Sequence, residues 1–279
     1  MGGGFYSYSS ASTRSNYLRS SNVSREEIFH NRKMSKDMDI KGKVRESCDG
    51  VDHPKSFPII IALDVTGSMG VVPENLIKEG FPEIMKKIMD EGVQDPQVCF
   101  VGIGDHYTDD APIQVGQFES SDELTEKWLK DIWLEGGGGG NGFEGYSLAY
   151  YFAARHTKID SFAKRNKKGV LITIGDDACN GSISKSVCKD LFGEGEAEIT
   201  TSAILEEAKK QWDVYHINLM DYLGQHEYVR SNWSNLLGDH VINTEDEAGK
   251  DIPNIISGIV LRSYNSTNAD EKLDSNVED

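Results

Sequence analysis

The sequence predicts an α/β fold in which helices cover both faces of a doubly wound, mostly parallel central sheet. Near-continuous apolar runs, which are typical of strands buried on both faces, occur at residues 58–63, 98–103, 170–174, 214–219 and 240–243. Helical stretches separate these runs, and an alternation of strands and helices is the pattern of a doubly wound sheet. We therefore expect one α/β domain over residues 57–262.

Three helices are predicted from apolar residues at helical spacing. The three sets are Ile77, Phe81, Ile84, Met85 and Ile88; Leu148, Tyr151 and Phe152; and Ile252, Ile255, Ile256 and Ile259. Residues 113–118 are interpreted as a short edge strand that leads into a further helix at about 121–133. All of these stripes are assigned to the core.

The two ends of the chain differ from the middle in composition. Residues 1–25 contain eight Ser, four aromatic residues and no acid, so we expect residues 1–56 to form an arm that is partly disordered or draped on a partner. Within it, Ser24 and Glu27 match a capping box, which predicts a short helix. Residues 263–279 are acidic and lack periodicity, so we expect a disordered tail.

Composition excludes several classes of function. The formal charge of −17 over 279 residues argues against nucleic-acid binding, which needs clustered Lys and Arg. No run approaches the ~20 apolar residues of a membrane span, and the N-terminus lacks the apolar segment of a secretory signal. The four Cys have no metal-binding spacing. These observations predict a cytoplasmic, acidic protein with reduced thiols.

Three of the predicted strands end in an Asp. Asp64, Asp105 and Asp176 follow the runs that end at 63, 103 and 174, and the carboxyl ends of parallel strands share one edge of a sheet. Carboxylates placed together repel one another, and a bound cation removes that cost.

Asp64 begins the pentapeptide Asp64-Val-Thr66-Gly-Ser68, in which two hydroxyls are spaced so that a sharp turn can aim them at one point. Oxygen ligands select Mg²⁺, with Mn²⁺ or Ca²⁺ as alternatives.

At this motif the sequence resembles the von Willebrand factor A (VWA) family, and in particular its stand-alone bacterial and phage members. The metal-ion-dependent adhesion site (MIDAS) of that family has the pattern Asp-x-Ser/Thr-x-Ser. The resemblance covers residues 57–262 and implies a Rossmann-like fold. It also implies that Thr66 and Ser68 bind the metal directly, that Asp64 and Asp176 do so mainly through water, and that one coordination position stays open.

One part of the sequence departs from the family pattern. The loop that usually supplies a Thr reads Gly136-Gly-Gly-Gly-Gly-Asn141-Gly-Phe-Glu144-Gly-Tyr, so Asn141, Glu144 or water takes the place of that Thr. Glu144 is alternatively a first-turn acid that favours the helix N-terminus. Asp105 is a candidate for the rim of the site or, alternatively, a solvated loop acid. His106 is interpreted as a loop histidine.

The leading hypothesis is a non-enzymatic, cation-dependent protein-interaction module, in which a Glu or Asp of a partner occupies the open metal position. The family suggests an AAA+ ATPase as a partner, and self-association is the other candidate. One alternative is a Mg²⁺-dependent phosphohydrolase of haloacid-dehalogenase-like layout, although Thr66 stands where that chemistry needs a carboxylic acid. Another alternative is an assembly protein whose N-terminal arm binds a neighbouring molecule. Residues 1–50 contain nine Lys and Arg and six Asp and Glu, so the arm is mildly basic whereas the rest of the chain is acidic.

Overall fold

A six-stranded sheet forms the centre of the molecule. The computed structural model describes residues 4–136, 142–195, 197–219, 227–245 and 249–274. The strands are β1 Arg45–Ser47, β2 Phe57–Asp64, β3 Pro96–Ile103, β4 Ile113–Val115, β5 Phe143–Glu144, β6 Thr157–Ile159, β7 Gly169–Gly175, β8 Ala178–Cys179, β9 Ser182–Ile183, β10 Ile199–Thr200, β11 Trp212–Leu219 and β12 Val241–Thr244.

Helices alternate with these strands along the chain. They are α1 Tyr8–Ser20, α2 Arg25–Ile28, α3 Val72–Asn75, α4 Phe81–Asp90, α5 Asp122–Lys130, α6 Tyr146–Arg155, α7 Asp160–Arg165, α8 Lys185–Phe192, α9 Thr201–Ala208, α10 Glu227–Leu237 and α11 Ile252–Asp274. A π-helical turn, Leu76–Gly80, joins α3 to α4, and short 3₁₀ turns span Gly67–Met69 and Gly238–His240.

The central sheet has the strand order β12-β11-β7-β2-β3-β4. All of its pairings are parallel except that of β4, which runs antiparallel to β3 at the edge. The doubly wound, mostly parallel α/β fold predicted from the sequence is therefore confirmed, as is the short edge strand. Because β2 lies between β7 and β3, the carboxyl ends of these three strands meet at one edge of the sheet.

Each face of the sheet carries its own hydrophobic core, as the continuous apolar runs predict. In β2 the side chains of Ile59, Ile61 and Leu63 pack on one side with α4 and α11. Ile60 and Ala62 alternate with them and pack on the other side with α6 and α9. This alternation within one fully buried strand explains why β2 shows no polar residue before Asp64.

The N-terminal arm packs on its own domain. Helix α1 buries Ala11, Ser15 and Leu18, which lie on one face of the helix, and Arg14 donates to Asp122 (2.7 Å) and Glu126 (2.5 Å) of α5. The expectation of a partly disordered arm, or one draped on a partner, is thus corrected for residues 4–56. A short apolar stripe and one cation are enough to hold a Ser-rich helix when a domain surface completes its packing.

The last helix extends beyond the predicted end of the domain at residue 262. Helix α11 continues to Asp274, so the expected disordered tail from 263 is corrected as far as that residue. Ser263 is fully buried, and Tyr264 packs edge-on against Phe57 at 5.1 Å. These contacts extend the helix because they anchor its continuation to the amino end of β2.

The segment that follows Asp176 at the carboxyl edge of the sheet contains α8 and the short strands β8 and β9. Of the helices that the structure describes, none has the length and apolar character needed to cross a membrane.

Candidate metal centre

Four oxygen-bearing side chains line up at the carboxyl edge of the sheet. Thr66 Oγ1 donates to Asp64 Oδ1 at 2.6 Å, and the hydroxyl oxygens of Thr66 and Ser68 are 3.1 Å apart. Ser68 Oγ in turn donates to Asp176 Oδ1 at 3.0 Å. The four side chains that the sequence proposes as the core of the site therefore form one continuous chain of contacts between the ends of β2 and β7.

The spacing of these oxygens suits a small divalent cation. Mg²⁺ binds oxygen at about 2.0–2.1 Å in octahedral geometry, which puts neighbouring ligand oxygens about 2.9 Å apart. The 3.1 Å between the hydroxyl oxygens of Thr66 and Ser68, the two groups expected to contact a metal directly, is close to that value. Within the described part of the chain, no group of three or more His, Cys, Asp or Glu side chains is arranged to hold a metal ion. The candidate site, which we call the metal seat, consists instead of the carboxylates of Asp64 and Asp176 and the hydroxyls of Thr66 and Ser68.

The turn after β2 gives these side chains their positions. Thr66 is the N-cap of the 3₁₀ turn Gly67–Met69, and its backbone N–H donates to Asp64 Oδ1 at 2.8 Å. Gly70 ends the turn with a φ of +49°, a conformation that favours glycine. Asp64 and Thr66 are buried, whereas Ser68 is exposed and Asp176 is partly exposed. The site is therefore closed on its inner side and open to solvent on its outer side.

Asp64 is the innermost carboxylate of the site. Burial raises its pKa to about 7, against the effect of the two hydrogen bonds from Thr66 and with a further increase from the charge of Asp176. A carboxylate in this environment gains from a nearby positive charge, because a cation offsets both the burial cost and the repulsion.

Tyr146, the first residue of α6, is a contributor that the sequence analysis missed. Its hydroxyl donates to Asp64 Oδ2 at 2.9 Å, and its ring is fully buried against His216 and Trp233. A Cβ at Gly175 would overlap the Tyr146 hydroxyl, so β7 needs a glycine there. In the sequence this tyrosine is indistinguishable from the apolar stripe of its helix.

Glu144 lies beside the site in the two-residue strand β5, which pairs in parallel with β8. It is 2% exposed, and its Oε2 accepts no hydrogen bond from the described part of the chain. Burial, followed by the charge of Asp64, raises its pKa to about 10. The structure thus brings Glu144 into the electrostatic neighbourhood of Asp64. Asn141, the other candidate for the missing Thr, lies outside the described residues.

Asp105 is fully buried at the end of β3 and holds its own loop together. Its carboxylate accepts from Tyr107 N (3.1 Å), Thr108 Oγ1 (3.2 Å) and Asn180 Nδ2 (3.5 Å). These contacts give Asp105 the role of shaping the loop next to the seat. Neighbouring His106 is partly buried, and desolvation lowers its pKa, so it carries no charge that would oppose a cation near neutral pH.

Helix α10 supports the turn that carries Asp176. The Trp233 indole N–H donates to the carbonyl of Asp177 at 3.0 Å. The Asn232 side chain accepts from Cys179 N at 3.1 Å and donates to Cys179 O at 3.3 Å. Sequence reasoning missed these supports because the helix lies more than fifty residues further along the chain.

Comparison with known proteins gives similarities of fold at low sequence identity. No protein-family model matches the sequence, and no curated protein is significantly similar to it. A solved structure of the pilus adhesin SpaC from Lactobacillus rhamnosus GG is 12% identical, with a TM-score of 0.47, over 80% of this chain and 31% of the adhesin. This chain therefore corresponds to about a third of the adhesin.

Two further solved structures carry names that bear on the motif. Proximal thread matrix protein 1 from the mussel byssus, with a zinc-occupied MIDAS motif, is 14% identical over 81% of this chain and 47% of that one, with a TM-score of 0.47. A von Willebrand factor type A structure from Catenulispora acidiphila is 12% identical over 75% of this chain and 43% of that one, with a TM-score of 0.43.

Proposed function

We propose that this protein is a cation-dependent protein-interaction module. The observation that carries the proposal is the unbroken chain of oxygens from Asp64 through Thr66 and Ser68 to Asp176, buried at one end and open to solvent at the other. A seat of this kind holds a cation firmly on its protein side and leaves its outer side accessible.

In the proposed complex, Thr66 and Ser68 contact the cation directly, whereas Asp64 and Asp176 act mainly through water and supply negative charge. Oxygen donors of this type favour Mg²⁺, and Mn²⁺ would fit the same donor set. A divalent cation held there would offer an open coordination position to an Asp or Glu of a partner protein. Tyr146 keeps Asp64 oriented by its hydrogen bond to Oδ2.

The surrounding charge makes the cation necessary for an acidic partner. Residues 64–71, 104–110, 142–145 and 175–180 carry six Asp, the buried Glu144 and no Lys or Arg, and Arg25 of α2 donates to the carbonyl of Gly70 at 2.7 Å. A carboxylate approaching this face alone would be repelled, since like charges a few ångströms apart repel strongly at low dielectric. Binding of an acidic group would therefore depend on the metal.

The position of Thr66 supports binding rather than catalysis. A phosphohydrolase of haloacid-dehalogenase-like layout needs a carboxylic acid there to protonate the leaving group. In this protein, Thr66 Oγ1 donates to Asp64 Oδ1, and a hydroxyl cannot replace the acid. We propose no reaction for this site.

Cation binding by the full-length protein tests the seat directly. Isothermal titration with Mg²⁺, and Mn²⁺ titration followed by electron paramagnetic resonance, should show one site. Ser68→Ala should weaken it by about tenfold or more. Ser20→Ala, which removes an exposed hydroxyl at the end of α1, is the matched control and should bind as the wild type does. Equal affinities for the two variants would rule out the proposed seat.

Capture of partners tests the function. Tagged protein is incubated with cell lysate in Mg²⁺ or in chelator, beside Asp64→Ala, and retained proteins are identified by mass spectrometry. Proteins retained in Mg²⁺ alone support metal-bridged binding, and their identities separate an AAA+ ATPase from a second copy of the chain. Equal retention in all three conditions would contradict the proposal.

A further inference from the structure

Exposed apolar side chains concentrate on the same face as the metal seat. Nine large apolar side chains are exposed in the described part of the chain, and four of them lie at or next to the carboxyl edge of the sheet, two in loops, one in β5 and one in α10. These four are Val71 (47% exposed), Tyr107 (64%), Phe143 (37%) and Tyr228 (44%). Tyrosine and phenylalanine are enriched in the cores of protein interfaces.

Three of these residues form what we call the aromatic rim: Tyr107, Phe143 and Tyr228. The Phe143 and Tyr228 rings are 5.9 Å apart, and the Tyr228 hydroxyl donates to the carbonyl of Gly142 at 3.3 Å. On the other side, the β3-end loop that carries Tyr107 lies against Gly145, where an added Cβ would come within 2.5 Å of the Gly104 carbonyl oxygen.

The rim borders the metal seat through alternation in β5. Phe143 is exposed at the surface, whereas the next residue, Glu144, is buried towards Asp64. Two consecutive residues of β5 therefore connect the exposed aromatic surface with the buried cluster of carboxylates around Asp64.

We infer that the partner segment presents one Asp or Glu beside an aromatic or large aliphatic residue and is flanked by Lys or Arg, with the apolar side chain covering the aromatic rim. This inference rests on the proposed function, since the acidic group is the one that completes the metal site. The basic flanks follow from charge complementarity, because the six Asp of the surrounding loops remain in excess over one divalent cation. The occupant is a segment of another protein.

An unbiased peptide selection tests this assignment. A random twelve-residue library displayed on phage is bound to the full-length protein in Mg²⁺ and eluted with EDTA. We expect the eluted peptides to share one acid, an aromatic or large aliphatic residue within about three positions, and excess Lys and Arg. An enriched acid without the apolar and basic bias would overturn this inference and leave the proposed function standing. No enrichment on EDTA elution would overturn both.

Variants of the rim then test the surface itself. The most enriched peptide should bind Tyr107→Ser and Tyr228→Ser about tenfold more weakly than the wild type, whereas Mn²⁺ affinity and melting temperature stay unchanged. Tyr17→Ser, which alters a ring that is 64% exposed on α1, is the matched control and should bind normally. Equal peptide affinity for the rim and control variants would overturn the inference.

A second copy of the chain is the competing occupant. Sedimentation velocity of the full-length protein in Mg²⁺ and in EDTA separates the two cases. We expect the same species in both conditions. Self-association that requires Mg²⁺ and is lost in Tyr228→Ser would overturn the assignment to another protein.

Discussion

Two buried carboxylates at the same sheet edge have very different surroundings. Asp64 is fully buried, yet it accepts hydrogen bonds from Thr66 N, Thr66 Oγ1 and Tyr146 OH. Glu144 is only 2% exposed, and its Oε2 accepts none from the described residues. The pKa of Asp64 is raised to about 7 and that of Glu144 to about 10, in both cases mainly by burial.

The difference shows that donors, rather than depth alone, prepare a carboxylate to act as an anion. The three donors lower the pKa of Asp64 against the effect of burial, so Asp64 ionises at a lower pH than Glu144 and more readily attracts a cation. Glu144 lacks that support and is protonated in the metal-free protein at neutral pH. The two residues therefore contribute unequally to the proposed site.

The largest expected effect comes from removing the charge of Asp64. Asp64→Asn should lower Mg²⁺ affinity by about 100-fold, because the variant cannot supply the negative charge that the hydrogen bonds from Thr66 and Tyr146 orient in the site. Glu144→Gln should lower it by about tenfold or less, since a protonated carboxyl has little charge to lose. Isothermal titration at neutral pH measures both. Equal losses would contradict the assigned difference between the two side chains.

Removing the Tyr146 hydroxyl should bring Asp64 closer to the state of Glu144. Tyr146→Phe leaves Asp64 Oδ2 without its donor, and an unsatisfied buried acceptor costs about 1–3 kcal/mol in the free energy of unfolding. Urea denaturation of the metal-free protein measures that loss, and Mg²⁺ affinity should fall by about tenfold.

Tyr151→Phe is the matched control for that experiment. Tyr151 lies on the same helix and is 1% exposed, but its hydroxyl bonds to Arg155 at 3.4 Å and to Cys188, and not to a residue of the proposed site. It should therefore be affected less in stability and unaffected in metal binding. A larger loss for Tyr151→Phe would contradict the role given to Tyr146.

Replacing Glu144 by Gln should stabilise the metal-free protein. The amide keeps the shape of the side chain and carries no carboxylate that must be protonated when it is buried. We expect a gain of about 1 kcal/mol, which is a rise of about 2–4 °C in melting temperature. Glu135→Gln is the control, because both Glu135 oxygens already accept backbone N–H groups, from Asp110 and Ala111. Glu135→Gln should lower the melting temperature. If Glu144→Gln lowered it by the same amount, the charge of Glu144 would be compensated in the folded protein and the prediction would be wrong.

The sequence was sufficient for the parts of the fold that follow local rules. The strands were predicted because burial on both faces leaves a continuous apolar run, as in Ile59–Leu63 of β2. Helix α1 was missed because its apolar face is narrow and its stability depends on packing against α5. The two-residue strands β5 and β8 were missed because a pair of residues carries no period.

The candidate site divides in the same way. Asp64, Thr66 and Ser68 were predicted from their spacing, and Asp176 from its place at a strand end, and the structure brings these four together. Tyr146 was not predicted, because it meets Asp64 across 82 positions of sequence. Contacts of that kind depend on how a helix packs on the sheet, which no local pattern encodes.

A third carboxylate, Asp49, has a permanently charged partner, Arg165, and its substitution should have the smallest effect on the protein. It lies after β1, where Arg165 donates to both of its oxygens at 2.6 and 3.1 Å, and Ser56 adds two donors. Burial raises the pKa of Asp49, but the hydrogen bonds from Arg165 and Ser56 outweigh it, so the pKa is lowered overall. The contribution of Asp49 to stability is thus complete above its unfolded pKa of about 4 and is lost as the pH falls through its lower folded value.

Asp49→Asn should therefore reduce the free energy of unfolding at pH 7 by up to about 1 kcal/mol, the usual range for a partly solvated ion pair. The difference from the wild type should shrink as the pH falls below about 4, because the wild-type carboxylate becomes protonated there. Urea denaturation at pH 7, 5, 4 and 3 measures it, with Asp90→Asn, which alters an exposed pair with Lys86, as the control. A difference that persists undiminished at pH 3 would mean that Asp49 stabilises the fold by shape rather than by charge. The contrast between Asp64 and Glu144 would then need an explanation other than how their charges are compensated.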